Sequence, residues 1–243
     1  MKNRTVLITG AAKNIGATIA KELHSSGMKI IIHYNRSQKE ATKLVDELND
    51  LRENSAIKIQ ADLKKKECYS MLIKTALDFT GKIDVLINNA SAFYPTPLND
   101  INEKKWNELI NINLKAPLFI SKLAAESLKE NNGCIINITD IHASNPLINH
   151  AIYCISKAGL IILTKSLAKE LAPNIRVNAI SPGAITWPDG MDGETKENII
   201  NQTVLKKMGD AKDIAKTVIF LIEDASYITG QILNVDGGKT LFL

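Results

Sequence analysis

The sequence predicts one α/β domain built around a doubly wound parallel sheet. Short apolar segments alternate with longer stretches of helical periodicity along the chain, a pattern that right-handed strand–helix–strand crossovers produce. Several of the short segments are apolar at every position, as expected for strands that helices cover on both faces. The length of 243 residues suits a single domain of this kind.

The expected elements follow from this alternation. The strand candidates are residues 5–9, 29–34, 56–60, 85–88, 134–137, 176–180 and 232–235. Helical patterns fill the intervals at about 14–27, 38–53, 64–80, 103–130, 152–172 and 210–223. The stretches 90–101, 140–151 and 183–198 are less regular. Because ligands of doubly wound sheets bind beyond the carboxyl ends of the strands, these loops are the expected site.

The composition is that of a globular protein, with 45% hydrophobic residues and a formal net charge of +4. Lysines are interspersed with acids, as in residues 64–67, which indicates solvated helix faces rather than a nucleic-acid surface. We therefore expect no nucleic-acid partner, although a basic excess helps to attract an anionic cofactor.

The three cysteines, Cys68, Cys134 and Cys154, are odd in number and lack metal-ligand spacing. They are expected to be free thiols in a reducing compartment, and Cys154 is expected to pack within its helix. Four scattered histidines form no metal site. The first residues lead straight into a strand, and no apolar run approaches a membrane span, so we expect a soluble cytoplasmic protein without a signal peptide or membrane partner.

The first strand leads into a glycine-containing turn, Thr-Gly-Ala-Ala-Lys-Asn-Ile-Gly at 9–16, and then a helix. Glycines at such a turn let the backbone approach a pyrophosphate, which lies at the helix N-terminus. Turns also use glycine for conformational reasons alone. The strand–turn–helix context therefore favours a dinucleotide at Gly10, Lys13, Asn14, Ile15 and Gly16.

The second strand ends in His-Tyr-Asn-Arg-Ser at 33–37, without the acid that an NAD-selective site places there. Arg36, Ser37 and Lys13 are donors suited to a 2′-phosphate, so NADPH is favoured over NADH. The alternative is a solvated arginine before a helix. Asp62, just past the third strand, is a candidate for the adenine amino group or for the N-cap of the next helix.

Tyr153 and Lys157 are four residues apart and share one face of a predicted helix. An adjacent ammonium stabilises a phenolate, which makes the phenol a better proton donor near neutral pH. Such a pair is common by chance, and its weight comes from the cofactor turn that precedes it.

Taken together, these motifs resemble the short-chain dehydrogenase/reductase family over nearly the whole chain. The segments that carry the resemblance are residues 9–16, Asp62, Asn88-Asn89-Ala90, Asn113, Tyr153 with Lys157, Ser181-Pro182-Gly183 and Asn234-Val235-Asp236-Gly237-Gly238. The family implies a Rossmann-type fold with strand order 3-2-1-4-5-6-7, and usually a homotetramer. It also implies that Tyr153 donates the proton, that Lys157 binds the nicotinamide ribose and lowers the tyrosine pKa, and that Asn113 helps hold a proton-relay water.

The resemblance completes the expected cofactor site for NADPH/NADP+. Its members are Gly10, Lys13, Asn14, Ile15, Gly16, Tyr34, Asn35, Arg36, Ser37, Asp62, Leu63, Asn89, Ala90, Tyr153, Lys157, Pro182 and Gly183.

Two departures from the family pattern point to one branch of it. The residue 13 positions before the tyrosine is Asp140 where the family usually has serine, and Ser91 replaces the usual glycine after Asn-Asn-Ala. With Lys13, the His-Tyr pair at 33–34 and the run at 91–98, these residues resemble pteridine reductases. The segment 181–188 resembles the bacterial members of that branch.

The chemistry of residue 140 agrees with this branch. An ionised aspartate would repel the oxyanion formed from a carbonyl, whereas a C=N bond gains a proton on nitrogen. By resemblance, Phe93 stacks on one pterin face and Ser91 contacts its edge; Phe93 could otherwise be plain core. Trp187 either shields the ring or anchors its loop. The expected substrate site is thus Ser91, Phe93, Asp140, Tyr153 and Trp187.

A third departure is Asn14, where this branch commonly has an arginine near the cofactor phosphates and substrate. Asparagine tolerates a left-handed backbone but carries no charge, so the identity of the pterin stays open. The expected function is NADPH-dependent reduction of a dihydropteridine by hydride transfer to a C=N bond. The alternatives are a 3-oxoacyl thioester reductase of the same family and a non-catalytic NADP(H) sensor.

Overall fold

A computed structural model describes residues 1–187 and 190–242. Its sheet has seven strands in the order β3-β2-β1-β4-β5-β6-β7, and each neighbouring pair is parallel, which confirms the predicted topology. The strands are β1 Thr5–Ile8, β2 Lys29–Tyr34, β3 Ala56–Gln60, β4 Val85–Asn88, β5 Cys134–Ile138, β6 Arg176–Pro182 and β7 Ile232–Val235.

Helices cover both faces of this sheet. In the described chain they are α1 Asn14–Ser25, α2 Gln38–Leu51, α3 Glu67–Thr80, α4 Glu103–Ile110, α5 Ala116–Glu130, α6 Ala151–Glu170, α7 Gly193–Asn201 and α8 Ala211–Glu223. Helices α1, α2 and α8 share one apolar core with the sheet, and α3, α5 and α6 share the other.

The two cores explain the uniformly apolar strands. Successive side chains of a strand point to opposite faces, so Val6 and Ile8 enter one core while Leu7 enters the other. All three are fully buried, and no polar alternation can therefore mark β1.

The stretch 103–130 differs from the single helix that its periodicity predicted. A π-helical turn, Asn111–Lys115, separates α4 from α5 and buries Asn113 completely. Pro117 in the first turn of α5 has no N–H to offer to the Asn113 carbonyl four residues earlier. The apolar spacing continues across the junction, so the pattern alone did not reveal it.

The stretch 183–198 is also more regular than expected, since α7 begins within it at Gly193. Asp192 caps this helix by accepting the Thr195 N–H at 2.8 Å. Helix α7 buries none of its described residues, so it lacks the apolar periodicity that marks the other helices. Pro188, part of the motif at 181–188, lies outside the described residues.

The expectation that no apolar run approaches a membrane span was wrong. By length and composition α6 is apolar enough to cross a membrane, with a mean hydropathy of 1.4 over its most apolar window, half of which is buried inside the fold. A core helix passes the same test, and α6 packs against β6.

Within the described ranges, no three His, Cys, Asp or Glu side chains are grouped to hold a metal ion.

Candidate active site

The site forms at the carboxyl edge of the sheet between β1 and β4, where the strand order reverses. Gly10 has φ +64°, and a Cβ added there would lie 2.8 Å from the Ala90 Cα. A Cβ on Gly16 would lie 2.6 Å from Asn89 Nδ2. That amide donates to the Thr9 and Gly10 carbonyls at 2.9 and 3.0 Å. Only glycine permits this close approach of the first turn to the loop after β4.

The turn ends at the N-terminus of α1, whose first N–H groups have no intrahelical acceptor and suit an anion. Asn14 begins the helix with φ +51°, so it keeps the left-handed backbone that the turn requires. The cradle left by Gly10 and Gly16 and the donors at this helix end fit the pyrophosphate of a dinucleotide.

Beside the turn runs a groove toward α2. Its lining includes Gly10, Ala12, Lys13, Tyr34, Asn35, Arg36, Ser37, Lys64, Glu108 and Ile112. Lys13 Nζ lies 2.7 Å from Glu40 Oε1 in the first turn of α2, and both side chains are about half exposed. Sequence reasoning missed Glu40, which competes for one of the cations expected at the 2′-phosphate.

Asp62 follows β3 at the same edge, and its Oδ1 accepts the Lys64 N–H at 3.1 Å. The carboxylate thus braces its own loop, while its Oδ2 lies 4.0 Å from Lys64 Nζ. Leu63 is buried beneath it. The adenine contact expected of Asp62 stays a prediction.

Farther along the same edge of the sheet, three of the expected catalytic side chains lie close together: Asp140, Tyr153 and Lys157. The Tyr153 hydroxyl donates to Asp140 Oδ2 at 2.6 Å, and the His142 N–H donates to Asp140 Oδ1 at 2.8 Å. Lys157 Nζ donates to the Ile138 carbonyl at 2.9 Å and lies 5.8 Å from the centre of the Tyr153 ring. Helix α6 presents the tyrosine and the lysine on one face, as their spacing predicted.

The charges around Tyr153 differ from the family expectation. Burial and the Asp140 carboxylate raise the pKa of Tyr153 well above its ordinary value, whereas Lys157 was expected to lower it. The lysine ammonium lies on a carbonyl rather than on the phenol oxygen. Burial lowers the pKa of Lys157 to about 8, against the opposing attraction of Asp140. In this arrangement Tyr153 is a protonated phenol that can donate its proton.

Asn113 links three parts of the site. Its Oδ1 accepts from the Ala92 N–H at 2.8 Å and the Ser91 hydroxyl at 3.3 Å, and its Nδ2 donates to the Ala92 carbonyl and Ser156 Oγ, both at 3.0 Å. These bonds use the full capacity of the amide. A relay water of the kind the family implies would therefore meet the backbone carbonyl of Asn113, not its side chain.

Phe93 is not core, since 45% of it is exposed. Its ring stacks on His150 at 4.7 Å between centroids with a 12° interplanar angle, and it meets Tyr153 edge-on at 4.8 Å. Burial and Asp140 raise the pKa of Tyr153, and the nearby Ser91 hydroxyl opposes that rise. Trp187 is half-buried, and its role stays a prediction.

Sequence reasoning missed a buried lysine at this site. Lys239 lies in a short 3-10 turn after β7, and only 7% of it is exposed. Burial lowers its pKa, and the Asp140 carboxylate opposes that shift. Gly183 allows the turn to approach, because a Cβ there would lie 2.7 Å from the Asp236 Cα. The sequence feature that could have pointed to Lys239 is its position directly after the Asn-Val-Asp-Gly-Gly motif.

A glycine-lined dinucleotide cradle beside a buried tyrosine–lysine pair is the arrangement of a nicotinamide-dependent oxidoreductase. A family model described as Enoyl-(Acyl carrier protein) reductase matches residues 10–240. The chain belongs to the short-chain dehydrogenase/reductase family, whose members use NAD(P)H, and it is an oxidoreductase of that family.

Two relatives of different function are similar to the chain to nearly the same degree. A 3-oxoacyl-[acyl-carrier-protein] reductase FabG of Staphylococcus epidermidis is 36% identical over 97% of this chain and 98% of its own. Pteridine reductase 1 of Leishmania tarentolae is 35% identical over 97% of this chain and 96% of its own.

A solved structure shares the fold throughout. It is a blue fluorescent protein from a metagenomic library in complex with NADPH, with a TM-score of 0.92, 32% identity and coverage of 98% of both chains. Overall identity thus establishes the family without choosing between substrates.

Proposed function

We propose that this protein uses NADPH to reduce a dihydropteridine to its tetrahydro form. The observation that carries the proposal is the Asp140 carboxylate, which lies 2.6 Å from the Tyr153 hydroxyl. A carboxylate at this position suits a substrate that gains a proton on nitrogen and disfavours one that gains negative charge on oxygen.

The reaction adds one hydride to the carbon and one proton to the nitrogen of a C=N bond, and NADPH supplies the hydride when bound. Tyr153 can give its proton to the substrate nitrogen, and Asp140, which accepts the hydrogen bond of this hydroxyl, can then relay a proton from solvent back to the tyrosine. The Lys157 ammonium lies beneath the tyrosine ring, where it offsets the charge of Asp140.

The exposed Phe93 ring supports a flat substrate. Its edge-on contact with Tyr153 places an aromatic platform beside the proton donor, and Ser91 adds a hydroxyl at the same place. A pterin stacked on this platform would bring its ring nitrogen near Tyr153. An acyl thioester has no aromatic ring to use the platform.

The preference for NADPH over NADH rests on the end of β2. Arg36 and Lys13 line the groove there, and no acid of the segment 33–37 repels a 2′-phosphate. Lys13 reaches that phosphate only by leaving Glu40.

A 3-oxoacyl thioester reductase is the second candidate, favoured by the FabG relatives and by the intact Tyr153 and Lys157. The deciding experiment measures NADPH oxidation with dihydrobiopterin, dihydromonapterin, dihydrofolate and a 3-oxoacyl thioester, with Tyr153→Phe as the inactive control. Turnover of a dihydropteridine alone supports the proposal. Efficient thioester reduction without pterin turnover overturns it, and tight NADPH binding with no turnover indicates a sensor.

A further inference from the structure

His33 is buried behind the groove that Gly10 and Tyr34 line, and the reaction described above does not use it. It lies on β2, between β1 and β3, and only 2% of it is exposed. The Gly10 N–H lies 3.0 Å from its Nδ1, and its Nε2 lies 3.1 Å from the Ala61 carbonyl. One side chain thereby connects the turn after β1 with the loop after β3.

These partners determine the protonation state of the ring. A backbone N–H only donates, so Nδ1 must be an unprotonated acceptor. A carbonyl only accepts, so Nε2 must carry the hydrogen. The ring is therefore neutral, and burial lowers the pKa of His33 to about 4, against the opposing bond to Ala61. The neutral imidazole carries one acceptor and one donor on different edges of a rigid ring, whereas the amides of Asn and Gln carry both at the end of a flexible chain.

Backbone bonds bring the same two loops to β2, and the ring orients them. The Ala11 N–H donates to the His33 carbonyl and the Ala61 N–H donates to the Tyr34 carbonyl, both at 3.0 Å. The ring adds the bond to Gly10, the residue whose left-handed backbone starts the turn toward α1. Its other bond holds Ala61, the residue before Asp62.

We propose that His33 is a positioning residue for the adenosine half of the cofactor. Its imidazole sets the spacing between the first glycine turn and the Asp62 loop, and so sets the affinity for the dinucleotide without contact with the nicotinamide end. The inference rests on the use of NAD(P)H by the family and does not depend on which substrate is reduced.

The test compares three substitutions by direct fluorescence titration of NADPH. His33→Phe keeps a buried ring but leaves the Gly10 N–H and the Ala61 carbonyl without their side-chain partner. We expect the Kd for NADPH to rise about 10- to 100-fold and kcat at saturating NADPH, with whichever substrate the protein reduces, to change by less than about threefold. His33→Asn keeps an acceptor near Gly10 and His33→Gln a donor near Ala61, so each should recover part of the affinity.

Two controls separate positioning from general destabilisation. His24 is also buried, and its Nε2 lies 2.7 Å from Ser55 Oγ, away from the cofactor loops. His24→Phe should lower the melting temperature and leave the NADPH Kd unchanged. Reduced nicotinamide mononucleotide, which lacks adenosine, should bind His33→Phe as well as it binds the unchanged protein.

Equal weakening of the mononucleotide and NADPH, or an unchanged NADPH Kd in His33→Phe, overturns the proposal. If His33→Phe fails to fold, His33→Asn and His33→Gln decide: NADPH affinity equal to that of the unchanged protein in both overturns it. Because these readouts are binding constants, they stand whatever the substrate panel shows.

Discussion

Asp140 accepts hydrogen bonds from Tyr153 and from the His142 N–H, so its carboxylate is fixed toward the reacting groups. We expect Asp140→Asn to retain NADPH binding and to lower dihydropteridine turnover by about 10²-fold or more, since an amide cannot relay the proton. Steady-state kinetics combined with NADPH titration measures both quantities. Asp210→Asn, at the cap of α8, removes a carboxylate elsewhere and should leave turnover unchanged.

The complementary change is Asp140→Ser, which restores the hydroxyl usual in the family. It should reduce pterin turnover and introduce weak reduction of 3-oxoacyl thioesters, because a neutral donor no longer repels an alkoxide. Unaltered pterin turnover in both variants would show that residue 140 only braces its loop.

The lowered pKa of Lys157 predicts that catalytic activity depends on pH. Its pKa is lowered by burial to about 8, so its ammonium is lost as the pH rises through that value. Tyr153, with a raised pKa, stays protonated there. We therefore expect kcat/KM, which reports the free enzyme, to fall above about pH 8. Lys157→Arg keeps the charge and should remove the decline, even if overall activity is lower. A profile that stays flat well above pH 8 in the unchanged protein contradicts this.

The lowered pKa of Lys157 also makes the free energy of unfolding depend on pH. A lysine whose pKa is lowered in the folded state binds fewer protons there than in the unfolded chain. Its cost to stability is full below about pH 8 and disappears as the pH rises toward the ordinary value of 10.5. The stability of the fold should therefore increase with pH over this range, because the cost of burying the charged Lys157 is relieved.

At the residue scale, the spacing of residues along the sequence predicted which catalytic side chains lie together. The 13-residue interval from Asp140 to Tyr153 and the four-residue interval to Lys157 brought these side chains together as expected. The direction of the tyrosine pKa was not predictable, because it depends on which charged atom lies nearest the hydroxyl. Lys239 directly follows the Asn-Val-Asp-Gly-Gly motif, but the motif does not show that the next residue is buried near Asp140. Glu40 was missed because only the fold brings it to Lys13.

Helix α2 begins directly after Arg36 and Ser37, so its N-terminus adjoins the proposed 2′-phosphate site. Arg36→Ala should weaken NADPH binding about 10- to 100-fold, the cost of one charge-assisted contact, and leave NADH binding unchanged. Parallel titrations with the two cofactors measure the ratio. Lys43→Ala is the matched control, since this lysine lies on the same helix with 80% of its side chain exposed. Equal losses for both cofactors would remove Arg36 from the phosphate site.

At the element scale, the missing pieces have physical causes. Helix α7 is stabilised by its Asp192 cap rather than by a buried face, so hydrophobic periodicity could not predict it. The π turn at Asn111–Lys115 inserts into a continuous apolar pattern and buries a polar residue, Asn113, that binds the loop at 91–92. Both features depend on polar bonds that a hydrophobic pattern does not encode.

The molecule as a whole leaves large apolar side chains exposed, and several of them lie on α5 and α6. Helix α5 exposes Leu118, Phe119 and Leu123, and α6 exposes Ile155 and Ile162, each by 39–62%. Such a patch marks an association surface, and we expect a homotetramer in sedimentation at micromolar concentration. Phe119→Lys and Ile162→Lys should yield smaller species. Leu51→Lys, at a leucine that is 77% exposed on α2, should not. A monomeric unchanged protein contradicts the expectation.

The strand order also has a consequence for how the gene can evolve by recombination. The residues proposed to recognise the adenosine half lie at or after the ends of β1, β2 and β3, before Lys64. Those proposed to choose the substrate follow β4, β5 and β6. A single crossover between two related genes near the codons for residues 64–84 would therefore exchange one specificity and retain the other. Lineages built on this sheet can thus acquire a new reductant and a new substrate in separate steps.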